Sequence, residues 1–374
     1  MDRLTPMQAD YRERARTVAA EVLRPNAVRA DAAPFFPREN WALLREVGLM
    51  DLRNAACWGG PDADALTWAL VTEELGRECA STAMAHLQHT QYARLAQDHA
   101  DPAVWAAVMA DGGPRARQFA VAFPGAVTAA AGGYALDPAT TFPFVTPAGE
   151  ADYYVLAVAH RDVPTPGYRT GLLVDRAVAG WEVVRPWAGV AMRASASAPM
   201  RFRGTIPAER LLGAEGGAAQ TFFAVAERAA MWVCWGAVGL GLAQRAHDLV
   251  MAHLGPRRGT LGTIETVRQR VADLQITLDR TRAFIYHAAR LADDPEPVGK
   301  RPFVQARIVG QEAALEATEL ALRLLGATAI AGDVPAARLH LDAHALLVMY
   351  PNLDLDRLTV ADETLAALAA PPGA

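Results

Sequence analysis

"MRASASAPMRFRGTIPAERLLG", Met192 to Gly213, is the stretch on which the fold turns. Its middle, APMRFRGTI, is a short β-rich run bracketed by proline and glycine, and no long helical period passes through it. Upstream the same texture continues through GWEVV, TGLLVD, DYYVLAVA and RQFAVAF, each cut off by Gly or Pro punctuation. These runs predict a small β domain over 114–213.

On both sides of that block the period changes. Residues 1–113 carry helical spacing, as in WALLREVGLMDL and ALTWALVTEELGREC, separated by turn clusters such as Gly59-Gly60-Pro61-Asp62. From residue 214 to 374 three long helical patterns follow one another, joined by short Pro/Gly turns, and read as a helical bundle. The expected class is mostly α with a central β domain. At 374 residues the chain is long enough for two or three domains.

Composition narrows the partners. Hydrophobic residues make up 52% and charged residues 21%, and the net charge of −5 comes without a basic block, so nucleic acid is not expected. Small molecules or proteins are the expected partners. The start, MDRLTPMQADYRERARTVAAEVL, has no apolar signal region and reads as an amphipathic helix with Thr5 near its cap, which points to a cytoplasmic protein. The longest apolar run, Ala229 to Ala243, is shorter than the roughly 20 residues a membrane span needs and contains three glycines, so it reads as a buried core helix.

Cys57, Cys79 and Cys234 have no CxxC spacing, and neither a disulfide framework nor a zinc site is expected. His86 and His89 are spaced i, i+3 and His340 and His344 i, i+4, without a third ligand or an HExxH pattern; no metal is expected. GxSxG, P-loop and strand-linked GxGxxG motifs are absent.

The order of blocks, together with local motifs, resembles the acyl-CoA dehydrogenase superfamily: a helical domain, a β-barrel-like domain and a C-terminal four-helix bundle. The segment LLREVGLMDLRNAACWGGPDADALTWALVTEELGRECASTAM is similar to the family's Gly-Gly turn and the helix ending in EEL. In FPFVTPAGEADYYVLAV, Phe144 and Thr146 fall where the family packs a tryptophan-x-threonine stretch on its flavin. The opening stretch resembles the strand and exit turn that follow. GLGLAQRAHDL, QRVADL, EAALEATELALRLLGA and ARLHLDAHAL are similar to helices of the last domain.

The resemblance implies an acyl thioester substrate, FAD and a carboxylate that removes the α-proton, a task that burial suits by raising a carboxyl pKa. In most relatives that carboxylate is a Glu in a YEGTNE turn. An ungapped alignment from Asp342-Ala343 puts Tyr350 there, with Asp354 at the end of the motif. A tyrosine hydroxyl titrates near about 10, so Tyr350 reads as a general acid or an oxyanion donor. In other relatives the base lies on the earlier helix, where Met231 and Trp232 stand in the places of the base and its arginine. Glu227, one turn before Met231, is then the candidate displaced base. Met231, Trp232 and Trp235 are candidate pocket residues, with Phe144 and Thr146.

The cofactor motifs also depart from the family pattern. AFPGAV replaces TEPGAGSD, with Ala122 and Phe123 at the Thr and Glu. Leu254 stands at the family's phosphate-binding Arg, Arg257 at its Phe and Arg323 at its Gln, and GATAI replaces the glycine run, keeping Gly326. The expectation is no tightly bound FAD, with Thr146, Arg257, Arg323 and Gly326 as its contacts if it is retained. The function expected on that basis is a non-redox step on an acyl thioester: isomerisation, dehydration or cyclisation. The alternatives are an FAD-dependent acyl-CoA or acyl-carrier-protein dehydrogenase (or reduced-flavin monooxygenase) with a relocated base, and a non-catalytic subunit beside a catalytic paralogue. The resemblance implies a homo-oligomer.

Overall fold

A computed structural model describes residues 4–369 apart from 164, 219–221, 223, 297, 332 and 333; the side chains of 225–227, 367 and 369 are likewise outside the description. The N-terminal block contains α1 (Pro6–Val18), α2 (Arg24–Ala32), α3 (Arg38–Glu46), α4 (Ala65–Glu78), α5 (Ala80–His99), α6 (Pro102–Ala110) and the single turn α7 (Gly113–Ala116). Thr5 starts α1 with a capping box to Gln8 and a proline at the first helical position, an arrangement that satisfies donors the helix itself leaves open.

The β domain runs from Phe119 to Leu212 as β1 (Phe119–Ala130), β2 (Gly133–Leu136), β3 (Phe142–Val145), β4 (Tyr153–His160), β5 (Arg169–Val174), β6 (Gly180–Val183), β7 (Ala198–Pro207) and β8 (Leu211–Leu212). The strand order is β3-β7-β2-β1-β4-β5-β8, with β6 also on β7. The opening stretch thus supplies β7, which pairs with β2, β3 and β6 near one end of the sheet. Phe142, Tyr154 and Phe202 fill the interior with edge-to-face contacts.

The C-terminal block is α8 (Val225–Leu254), α9 (Glu265–Ala292), α10 (Arg301–Leu325), α11 (Ala336–Val348) and α12 (Leu353–Ala369). Its apolar helix α8 lies at the centre, as the run from Ala229 to Ala243 implied, and glycine lets its neighbours close in. A side chain on Gly310 of α10 would overlap the backbone of Gly236, and one on Gly241 would overlap the backbone of α4 at Glu73. The acids of the EEL segment are buried and held by arginines from other helices. Arg12 and Arg16 of α1 bond Glu74, Arg24 of α2 bonds Glu78, and Arg282 of α9 bonds Glu73.

Met192 ties the domains together. Its backbone is left-handed at φ 50°, and its N–H donates to Oδ1 of Asp342 on α11 at 2.7 Å. Burial pushes the Asp342 carboxyl up to about 6, against the opposing pull of Arg338 and of the Met192 N–H. Its folded pKa therefore exceeds the unfolded one, so the associated stability is present below about pH 4 and is lost as pH rises through about 6. Asp342→Asn keeps the acceptor for Met192 and removes the titrating charge. Urea unfolding is expected to show a gain approaching about 3 kcal/mol at pH 8 that vanishes towards about pH 4. A gain of equal size at both pH values, or a loss at pH 8, would contradict this account.

Candidate active site

The β-domain side of the site is built by β1 and the segment that follows β3. An isolated antiparallel bridge joins Val121 to Thr146 and sets the Phe142–Thr146 segment beside Val121–Phe123. Phe144 leaves that edge into solvent, 69% exposed. Just inside, a chain of hydroxyls runs from Thr146 to Ser197 at 2.7 Å and on to Ser195 at 2.8 Å. Phe123 reaches the other way and meets the ring of Tyr350, with centroids 5.5 Å apart. Arg169 of β5 lies over the Phe123 ring at 5.7 Å, and its buried Nη1 has no hydrogen-bond partner.

The helical side converges on the turn between α11 and α12. Asn352 starts α12 by accepting the N–H of Leu355, which turns Asp356 inward and leaves Asp354 outside. Arg307, on α10 and fully buried, reaches into this turn. Its Nη2 donates to the carbonyl oxygens of Met349 at 3.1 Å and Pro351 at 2.6 Å, bracketing Tyr350. Its guanidinium lies 3.8 Å from the ring centroid of Trp235 on α8. Nη1 is 2.9 Å from Oδ2 of Asp356, an ionic contact off the N–H direction, so neither atom completes a hydrogen bond.

Burial governs the charges of this pair. It pushes the Asp356 carboxyl up to about 6, although Arg307 and then Arg228 act in the opposite direction. Burial likewise brings Arg307 down to about 10, opposed by Asp356 and reinforced by Arg228. Arg228 lies 5.7 Å from the ring of Trp232 on the same helix and bonds the buried hydroxyl of Tyr92. The result is a buried carboxylate beside a buried guanidinium, with its pKa raised above that of an exposed carboxylate.

The residues anticipated from sequence separate into groups. Tyr350, 65% exposed, stands between Phe123 and the turn held by Arg307. Trp232, Trp235 and Met231 are buried together on α8. Asp354 faces solvent and pairs with Arg357 at 3.4 Å. Glu227 belongs to the first turn of α8, and its side chain lies outside the described residues. Arg257 is exposed and donates to the carbonyl of His253, while Arg323 is exposed and pairs with Glu319 one turn away. Gly326 closes α10 at φ 60°, with open space where a side chain would stand. His86 and His89 bond the carbonyls of Leu49 and Met50 inside the first domain.

Arg307 and Asp356 escaped the sequence reading, and each left a signal. Phe303, Ala306, Gly310 and Ala314 form a buried stripe on α10, and Arg307 interrupts it; Leu353 and Val360 do the same around Asp356. A charge at a core-facing position is the mark to look for.

Comparison with known proteins agrees with the architecture. A family model described as acyl-CoA dehydrogenase, N-terminal domain, matches residues 5–104, and one described as acyl-CoA dehydrogenase, C-terminal domain, matches residues 217–363. This chain belongs to the acyl-CoA dehydrogenase superfamily. The mitochondrial short-chain specific acyl-CoA dehydrogenase of Bos taurus is 26% identical over 371 residues, 95% of this chain and 89% of that protein. Butyryl-CoA dehydrogenase from Megasphaera elsdenii shares the fold with a TM-score of 0.90 at 19% identity, covering 98% of this chain and 100% of that one. PigA, solved as an FAD complex, shares it with a TM-score of 0.87 at 18% identity, covering 97% and 99%. No helix among the described residues is long and apolar enough to cross a membrane.

Proposed function

We propose that this protein is a flavin-dependent dehydrogenase of a small acyl thioester, introducing a double bond between its α and β carbons. The observation that carries this reading is the meeting of Phe123 with Tyr350, which brings the β-domain edge bearing Phe144 and Thr146 against the turn that closes over Asp356. Relatives named as acyl-CoA dehydrogenases favour this reading over the non-redox step that the altered motifs first suggested.

The residues present fit a flavin. Phe144 offers an unburied aromatic face beside the Thr146–Ser197 hydroxyls, a flat apolar surface with a polar rim. Arg323, a cation at the C-terminal end of α10, and the unobstructed backbone of Gly326 would hold the phosphate portion. When bound, FAD supplies the oxidant that takes the hydride from the β-carbon.

This chain's own residues do the rest. Trp232, Trp235 and Met231, buried together on α8, would keep water from the acyl end of the substrate. Phe123 and Tyr350 close the outer end around the thioester. The carrier is CoA or an acyl-carrier protein, and the working form is a homo-oligomer. With Tyr350 at the place where the resemblance puts the carboxylate, another residue of this chain is the proton acceptor.

The test is the visible spectrum of the purified protein before and after excess FAD, followed by anaerobic addition of butyryl-CoA or a butyryl-pantetheine thioester. Flavin bands that bleach with the thioester are expected. A colourless protein that gives no heat on titration with FAD would overturn the reading.

A further inference from the structure

We infer that Arg169 binds a phosphate of the carrier that delivers the acyl thioester, and so sets a preference for phosphorylated carriers. This rests on the acyl-thioester reading and adds to it a recognition residue on the side away from the buried tryptophans. CoA and the phosphopantetheine arm of an acyl-carrier protein both carry phosphate, so one guanidinium serves either source.

Arg169 opens β5, paired with Ala159 of β4 and bridged on its other side to Gly217. The next residue pins this strand end: the Thr170 hydroxyl accepts the N–H of Gly216 at 3.0 Å and shares a hydrogen bond of 2.7 Å with His160. On that fixed backbone the guanidinium lies 5.7 Å from the centre of the Phe123 ring, a contact that orients a long side chain without using its donors. Nη1 is buried with no hydrogen-bond partner, a costly state unless an acceptor arrives. Nε and Nη2 are not bonded either and stay open to solvent in a half-buried residue. An anion therefore meets the guanidinium at the surface and needs no passage through the core.

Other arginines of the β domain already have an acid: Arg210 holds Asp175 at 2.9 Å, and Arg161 holds Asp137. Glu215, two residues before Gly217, faces Tyr134 and His160 instead, and among the described residues no carboxylate pairs with Arg169. Position indicates which anion completes the site. From the buried Trp235 the contacts run through Arg307 to the turn of Tyr350, then to Phe123 and last to Arg169. The acyl group belongs at the tryptophan end, so the charge that Arg169 meets lies on the carrier side of the thioester.

The experiment is calorimetric titration at low ionic strength with butyryl-pantetheine, butyryl-phosphopantetheine and butyryl-CoA. The unsubstituted protein is expected to bind a phosphorylated thioester about 10-fold or more tightly than the pantetheine one, and added salt should remove much of the difference. Arg169→Gln should lose that preference and bind butyryl-pantetheine as before. Arg169→Lys keeps the charge but not the planar fork and should keep part of the preference; it also serves if the glutamine variant fails to fold. A loss shared by both phosphorylated probes supports the arm phosphate as the bound group, and a loss confined to butyryl-CoA supports the phosphates of its nucleotide. Unchanged affinities in Arg169→Gln, or an equal loss with all three thioesters, overturns the role of Arg169 and leaves the acyl-thioester reading standing. If the unsubstituted protein binds none of the three, both fall.

Discussion

Replacing Arg307 with methionine is expected to destabilise the protein by about 3–5 kcal/mol at pH 8, among the largest effects available to a single substitution here. Methionine matches much of the side-chain volume, so the change is one of charge rather than of packing. Three groups lose their partner together: the buried Asp356 carboxylate and the half-buried carbonyl oxygens of Met349 and Pro351. The loss should depend on pH. Without Arg307 the Asp356 carboxyl rises further above its unfolded value, so the penalty is full at pH 8 and fades as acid protonates the group in both states. Asp356→Leu added to Arg307→Met should recover a substantial part of the stability, because it removes the stranded charge. Urea unfolding of the single and double variants at pH 8 and pH 5 measures all of this. A single variant within about 1 kcal/mol of the parent at pH 8 would show that the pair is not desolvated.

Gly310→Ala is expected to destabilise by about 3 kcal/mol, although alanine in a helix interior ordinarily gains nearly 1 kcal/mol over glycine. The added methyl has no place to go. It overlaps the backbone of Gly236, and backbone in the middle of two packed helices cannot rotate aside as a side chain can. Separating α8 from α10 would also draw Arg307 away from Trp235, so fluorescence of the buried indoles should change together with stability. Gly255→Ala is the internal control: its methyl meets nothing within 4 Å, and it sits at the C-terminal end of α8 with a helical φ of −49°. That variant should be neutral or gain up to about 1 kcal/mol. Equal effects at the two positions would mean that α8 and α10 are not in close contact at Gly236.

What was legible in the amino-acid sequence is local in origin. Helical and strand periods record which face of each element is buried, and that pattern is written within a few turns of chain; hence the three-block architecture and the buried nature of α8 were readable. The Thr5 cap, a contact across three residues, belongs to the same category. Phe123, Phe144, Thr146 and Tyr350 were found as departures or matches within motifs, and the structure brings their segments to one edge. Asp354, reached by reading along a motif, has its carboxylate in solvent, whereas Asp356 two residues later is buried. Sequence position alone does not say which side of a first helical turn points inward; the Asn352 cap and the packing of α12 on α10 decide it.

The Arg307–Asp356 pair could not be derived from either helix alone. Each residue taken singly is an unfavourable buried charge, and only the tertiary structure supplies the opposite charge, the two carbonyl oxygens and the indole ring that make its burial tolerable. Sequence determined the elements, their order and the family, because hydrophobic period and turn chemistry act over short distances. Tertiary structure alone decided which charged groups meet in the interior, because electrostatic coupling there depends on distance in space, not on separation along the chain.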